Sequence, residues 1–272
     1  FYEFFAGGGM ARSGLGSGWN CLFANDFDHK KSRVYERNWG AGVLKTADVG
    51  SLKAADVPGR PNLVWASFPC QDLSLAGGGA GLKGDRSGTF WPFWRLFKAL
   101  IKDGRAPELV VLENVCGTLT SHGGKDFATI CTAFEQAEYS CGAVVIDAAL
   151  FVPQSRPRLF IIGVRKGLAL PDIVGDAPND LWHTRMLRTA YDRLPTKAKA
   201  NWVWWNFPAP QKRNSSFADL IEDLPTSVPW HTPEETRQLL AMMSDVNCAK
   251  VAEAKRAGRR MVGTIYKRTR HD

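Results

Sequence analysis

Cys70 lies in Ser67-Phe68-Pro69-Cys70-Gln71-Asp72-Leu73-Ser74, directly after an apolar run at residues 63–66. A cysteine attacks carbon as a thiolate, and a free thiol titrates at about 8.5, so reactivity needs surroundings that favour the anion. Pro69 fixes its own φ and biases Phe68 toward extended geometry, which would project Cys70 from a strand end on a stiffened turn. A glycine-rich stretch follows at residues 76–81, and a loop of that kind beside a nucleophile suits a lid. The competing reading is a small buried thiol, the commonest fate of a free cysteine. Glu113 closes a second apolar run, residues 109–112. A carboxyl at a buried strand end is costly unless paired, which suits acid–base work; the alternative is a helix cap. Arg156 and Arg158 stand two apart in a stretch that reads as extended. They would point to one face and donate to carbonyl or phosphate oxygens, unless they are plain surface arginines.

Elements of an α/β chain must hold these groups. Residues 1–6, 20–25, 63–68, 109–113, 142–146 and 159–164 read as strands. Helical patterns start at Met10 and cover 29–35, 89–103 and 124–137. Strands alternating with helices predict a mostly parallel sheet with ligands at the carboxyl ends of its strands. The first strand runs into Phe5-Ala6-Gly7-Gly8-Gly9, a turn that lets backbone approach a ligand, although such a turn is often only a tight connection. Asp26 ends the second strand 17 residues after Gly9, near the place where nucleotide-binding folds hold a ribose; it is otherwise a helix cap. Asp48, before Val49, offers another carboxylate after an extended segment, suited to an adenine amino group and otherwise a cap. The stretch 166–214 loses the pattern and carries the cluster Trp202-Val203-Trp204-Trp205, read as a packing plug; a short helix is expected over 217–224.

Composition narrows the class. Apolar residues make up 44% and charged residues 23%, ordinary for a globular protein, and no apolar stretch reaches the length of about 18 residues that a membrane span needs. Six scattered cysteines and five scattered histidines form no zinc or disulfide pattern, so a reducing, cytosolic setting without metal is expected. The formal net charge is +8, and residues 250–272 carry eight Lys and Arg against two acids. A polyanionic partner fits that run, as does a solvated helix face.

Taken in order, these stretches resemble the cytosine-5 DNA methyltransferase family over most of the first 165 residues. Phe-Ala-Gly-Gly-Gly-Met, Ala-Asn-Asp-Phe-Asp, Thr-Ala-Asp-Val, Phe-Pro-Cys-Gln-Asp-Leu-Ser, Gly-Asp-Arg-Ser-Gly-Thr-Phe, Leu-Glu-Asn-Val and Val-Pro-Gln-Ser-Arg-Pro-Arg follow the family's motif sequence. The resemblance implies a three-layer Rossmann-like methyltransferase fold and S-adenosylmethionine as cofactor. Phe5, Ala6, Gly7, Gly9, Val49 and Pro69 would line the cofactor, with Asp26 on its ribose, Phe27 stacked on adenine and Asp48 at the adenine amino group. Cys70 would attack carbon 6 of a cytosine, with Glu113 at ring nitrogen 3 and the amino group, Arg156 on the carbonyl at carbon 2, and Arg158 supporting Arg156 or Glu113. Gln71, Ser74, Arg86, Lys267, Arg268 and Arg270 would meet double-stranded DNA.

The implied layout is a catalytic domain at 1–225, with an insertion-like stretch at about 166–214, and the start of a target-recognition region at 226–272. The family's later motifs are absent from this sequence, which also lacks an initiator methionine. The expectation is therefore a fragment, or an enzyme completed by a second polypeptide. A monomeric, cytoplasmic, nucleoid-associated protein of bacterial or phage origin is expected, either paired with a restriction endonuclease or working alone. RNA methylation and a non-catalytic DNA-binding module are the rival readings.

Overall fold

The computed structural model describes residues 1–69 and 90–264. Cys70, Gln71, Ser74, Arg86, Lys267, Arg268 and Arg270 lie outside the described residues. The chain divides into two compact units, Phe1–Ala148 with Ser155–Pro210, and Ala149–Gln154 with Gln211–Asp272.

The first unit is built on a seven-stranded sheet. Its strands are β1 (Tyr2–Phe4), β2 (Phe23–Asp26), β3 (Leu44–Thr46), β4 (Leu63–Ala66), β5 (Leu109–Asn114), β6 (Tyr139–Asp147) and β7 (Pro157–Arg165), in the order β3-β2-β1-β4-β5-β7-β6. The first five run parallel, whereas β7 is antiparallel to both β5 and β6. β1 is central and wholly buried, which is why it reads as an unbroken apolar run apart from Glu3. The chain order reverses on either side of β1, so the carboxyl ends of β1, β2 and β4 open one crevice.

Helices α1 (Met10–Leu15), α2 (His29–Trp39), α3 (Phe90–Lys102) and α4 (Lys125–Gln136) connect the strands. α3 buries Phe90, Phe93, Trp94, Leu96, Phe97 and Leu100 on one face, a helical spacing that inserts its aromatics among Phe4, Phe68, Phe134 and Tyr139.

The stretch that loses its pattern after β7 covers a sheet edge. It forms β8 (Val174–Gly175), α5 (Arg185–Asp192), α6 (Thr196–Ala200) and β9 (Trp204–Trp205). Its backbone pairs with the edge strand β6: Cys141 N–H donates to Asn201 O, Val203 N–H to Cys141 O, and Val145 N–H to Trp182 O. An unpaired edge would invite association, and this segment occupies it. Gly142 permits the approach, since a Cβ there would sit 1.8 Å from Val203 O. Trp182 and Trp205 are buried, and Trp202 packs on Phe127 and Tyr191, so the tryptophans plug the edge as expected.

In the second unit, residues 217–220 form only a 3-10 turn where a helix over 217–224 is expected, because Ile221 returns to extended geometry, four residues before Pro225. Helices α7 (Pro233–Ala241) and α8 (Asp245–Arg256) follow. α7 starts with a reciprocal cap: Thr232 Oγ1 accepts from Glu235 N–H, and the Glu235 carboxylate accepts from Thr232 N–H. No described residue of this unit is buried.

Candidate functional site

The glycine turn after β1 is held in strained backbone. Phe5, Gly7 and Gly9 all have positive φ, at 57°, 55° and 82°. Glycine tolerates this; a phenylalanine does so only where its surroundings enforce it, and such strain gathers at ligand sites. At Gly9 a side chain is doubly excluded, because a Cβ would lie 2.2 Å from Trp39 Nε1. Asp26, 4% exposed, clamps the turn from the next strand. Its Oδ2 accepts from Gly7 N–H at 2.8 Å and its Oδ1 from Asp28 N–H at 2.9 Å. Asp28, rather than Asp26, caps α2, accepting from Lys30 and Lys31 N–H, and those bonds hold its carboxyl below the usual range. Phe27 stands between them 62% exposed, a large apolar ring left open beside a buried carboxylate. Asp48 is exposed and caps the 3-10 turn Val49–Ser51 through Gly50 N–H, while Val49 is buried.

Glu3 is an acid in the middle of the central strand and 1% exposed. Gly9, the residue before α1, has no side chain to cap the helix. Glu3 supplies the missing acceptor from below: its Oε1 takes Arg12 N–H at 3.3 Å, and among the described residues Oε2 has no hydrogen-bond partner. Burial, only partly offset by bonds from the Arg12 and Ala11 backbone, pushes its carboxyl up to about 7.

The second half of the site lies at the ends of β4, β5 and β7. Glu113 is the penultimate residue of β5, with its side chain 30% exposed. Its Oε2 accepts from Ser67 Oγ at 2.8 Å, and Arg158 Nε is 3.8 Å from its Oε1. Register explains the meeting. Ala66 pairs with Leu112, which sets Ser67 beside Glu113, and Glu113 pairs with Phe160, two residues from Arg158. Asn114 Nδ2 reaches the Phe68 carbonyl at 3.4 Å, tying the start of the Phe-Pro-Cys segment to β5; Pro69 is half-buried. Arg156 is exposed, and its backbone N–H donates to Asp147 Oδ1. Arg158 is the arginine beside Glu113. Cys116 is half-buried three residues past Glu113, and burial raises its thiol against the pull of Arg158.

The structure thus gathers Phe5, Ala6, Gly7, Gly9, Asp26 and Phe27 at one end of the crevice, and Glu113 and Arg158 at another pair of strand ends. Sequence reasoning missed Ser67, Asn114 and Glu3. Aligning the ends of the two apolar runs, residue 66 against 112, would have found Ser67. Among the described residues no group of His, Cys, Asp and Glu could hold a metal ion, and no helix is long and apolar enough to cross a membrane.

Residues 1–268 match the C-5 cytosine-specific DNA methylase family. The type II methyltransferase M.BsuFI of Bacillus subtilis is 31% identical over 63% of this chain and 41% of its own length. M.NgoFVII of Neisseria gonorrhoeae is 35% identical over 55% of this chain and 39% of its own. The chain therefore matches about two-fifths of those relatives' length. Among solved structures, the Dnmt2 methyltransferase of S. pombe superposes with a TM-score of 0.51 at 20% identity, over 62% of this chain and 52% of that one. A putative DNA modification methyltransferase of an E. coli prophage gives 0.51 at 20% identity, over 63% and 48%. The mostly parallel sheet with its antiparallel β7 is the Rossmann-like fold of those proteins, and the chain belongs to the C-5 cytosine-specific DNA methylase family.

Proposed function

We propose that this protein transfers a methyl group from S-adenosylmethionine to carbon 5 of a cytosine flipped out of double-stranded DNA, through a covalent bond to Cys70. The observation that carries the reading is the tie between two strand ends: Ser67 and Phe68, just before Pro69-Cys70, bond to Glu113 and Asn114 of Glu-Asn-Val. This couples the nucleophile's segment to a carboxyl with an arginine at its side.

The crevice fits the cofactor: a backbone cradle at Phe5, Gly7 and Gly9, an open Phe27 ring for the adenine, and the Asp26 carboxylate beside it for the ribose. Ala6, Asp48, Val49 and Pro69 complete that proposed set. When bound, S-adenosylmethionine supplies the methyl group as an electrophile. The Cys70 thiolate forms a bond to ring carbon 6, which pushes electron density onto carbon 5. Glu113 shares a proton with ring nitrogen 3 and accepts from the exocyclic amino group, and Arg156 and Arg158 donate to the ring carbonyl and to Glu113. When the carbon 5 proton leaves to a base, its electron pair re-forms the ring double bond and the carbon–sulfur bond breaks, returning the thiolate. A stacked base cannot reach such a site, so the cytosine must leave the helix. Gln71, Ser74 and Arg86 are assigned to the DNA around the gap, and Lys267, Arg268 and Arg270 to phosphates, which makes affinity fall with salt. The chain acts as the modification partner of a restriction endonuclease, a reading supported by its type II relatives.

The test offers labelled S-adenosylmethionine with duplex DNA or tRNA as acceptor to the intact protein. DNA cytosine should be labelled; labelling of tRNA alone would overturn the substrate assignment.

A further inference from the structure

The geometry points to Ser67 as a positioning residue that decides which oxygen of Glu113 meets the substrate ring; this rests on the reading above. Trp65, Ser67 and Glu113 share one face at the ends of neighbouring parallel strands, since Trp65 pairs with Val111 and Ala66 with Leu112. Trp65 Nε1 donates to Ser67 Oγ at 3.0 Å. An indole N–H can only donate, so the hydroxyl oxygen is occupied as an acceptor and its single hydrogen is left for another partner. That partner is Glu113 Oε2, at 2.8 Å. The relay is therefore polarised from Trp65 through Ser67 to the carboxylate, and it commits Oε2 to accepting.

The other oxygen is in a different state. Arg158 Nε stands 3.8 Å from Oε1, an ion-pair distance too long for a hydrogen bond. Arg158 spends its Nη1 on the Pro157 carbonyl at 2.9 Å instead. Among the described residues, Oε1 accepts no hydrogen bond. Oε1 is thus the oxygen available to ring nitrogen 3, and the Ser67 hydroxyl fixes the carboxyl plane that presents it. Without that hydroxyl the carboxyl torsion, broad by nature, is unrestrained. Trp65 anchors the relay by packing edge-on against Phe160 of β7, so the donor does not drift.

Ser67→Thr and Ser67→Val separate this role from packing. The two variants add equal bulk, and only threonine keeps the hydroxyl. Both are measured for single-turnover methyl transfer, S-adenosylmethionine binding and Cys70-dependent trapping by 5-fluorocytosine DNA. Ser67→Val is expected to lose about tenfold to a hundredfold in rate, the worth of one hydrogen bond to a charged group. Its cofactor affinity and KM for DNA should stay unchanged, and Ser67→Thr should recover the rate. Equal rates in the two variants would overturn the role of Ser67 while leaving the cytosine mechanism intact. Full activity of Cys70→Ser in the same assay would instead sink the mechanism itself.

Discussion

Replacing Glu3 with glutamine should remove a defined pH dependence from the stability of the fold. Glu3 is 1% exposed, and burial raises its carboxyl from 4.5 to about 7. The folded state therefore binds a proton more tightly than the unfolded chain does. Linkage sets the sign: this group's contribution is fully present below about pH 4.5 and is lost as pH rises through about 7. The gap is about 2.5 pH units, and each unit is worth about 1.4 kcal/mol, so roughly 3 kcal/mol disappears between acid and mildly alkaline solution. A glutamine of the same shape still offers an oxygen to Arg12 N–H and does not titrate. Urea unfolding of both proteins across that range, taken as a difference, cancels every other titrating group. The variant should gain about 3 kcal/mol on the wild type from the acid to the alkaline end. A difference that stays constant with pH would show that Glu3 does not take up a proton beneath the glycine turn.

Gly9→Ala places a Cβ 2.2 Å from Trp39 Nε1 at a φ of +82°, and should cost at least about 1–2 kcal/mol in thermal or urea unfolding. Phe27→Ala removes a ring that is 62% exposed, so stability should move by no more than about 0.5 kcal/mol. The same variant should weaken S-adenosylmethionine binding by about 1 kcal/mol, roughly fivefold by calorimetry, through lost stacking.

Parallel strands were the easiest elements to read, because β1 and β4 are buried almost throughout and β5 is buried or half-buried at every position, so they appear as apolar runs. β3 left no such trace: it is three residues long, at the sheet edge, with no buried side chain. Helix α5 buries only Leu187 and Ala190, too few to mark a period, which is why the stretch after β7 reads as irregular. The cluster of glycine turn, Asp26 and Phe27 was legible as local motifs, since all three lie within one strand–helix–strand unit. The placement of Arg158 beside Glu113 depends on β7 entering antiparallel between β5 and β6. Glu3 was read past as part of a strand, since its role comes from a glycine that cannot cap its own helix.

The central claim is that Cys70 bonds to cytosine carbon 6. A duplex carrying 5-fluorocytosine at the target position blocks loss of the carbon 5 substituent and holds that bond in place. Incubating it with the intact protein and S-adenosylmethionine, then sequencing the adducted peptide by mass spectrometry, reads the bond directly. The expected result is a nucleotide adduct on Cys70, absent in Cys70→Ser. An adduct on any other residue, or methyl transfer by Cys70→Ser at the wild-type rate, would contradict it.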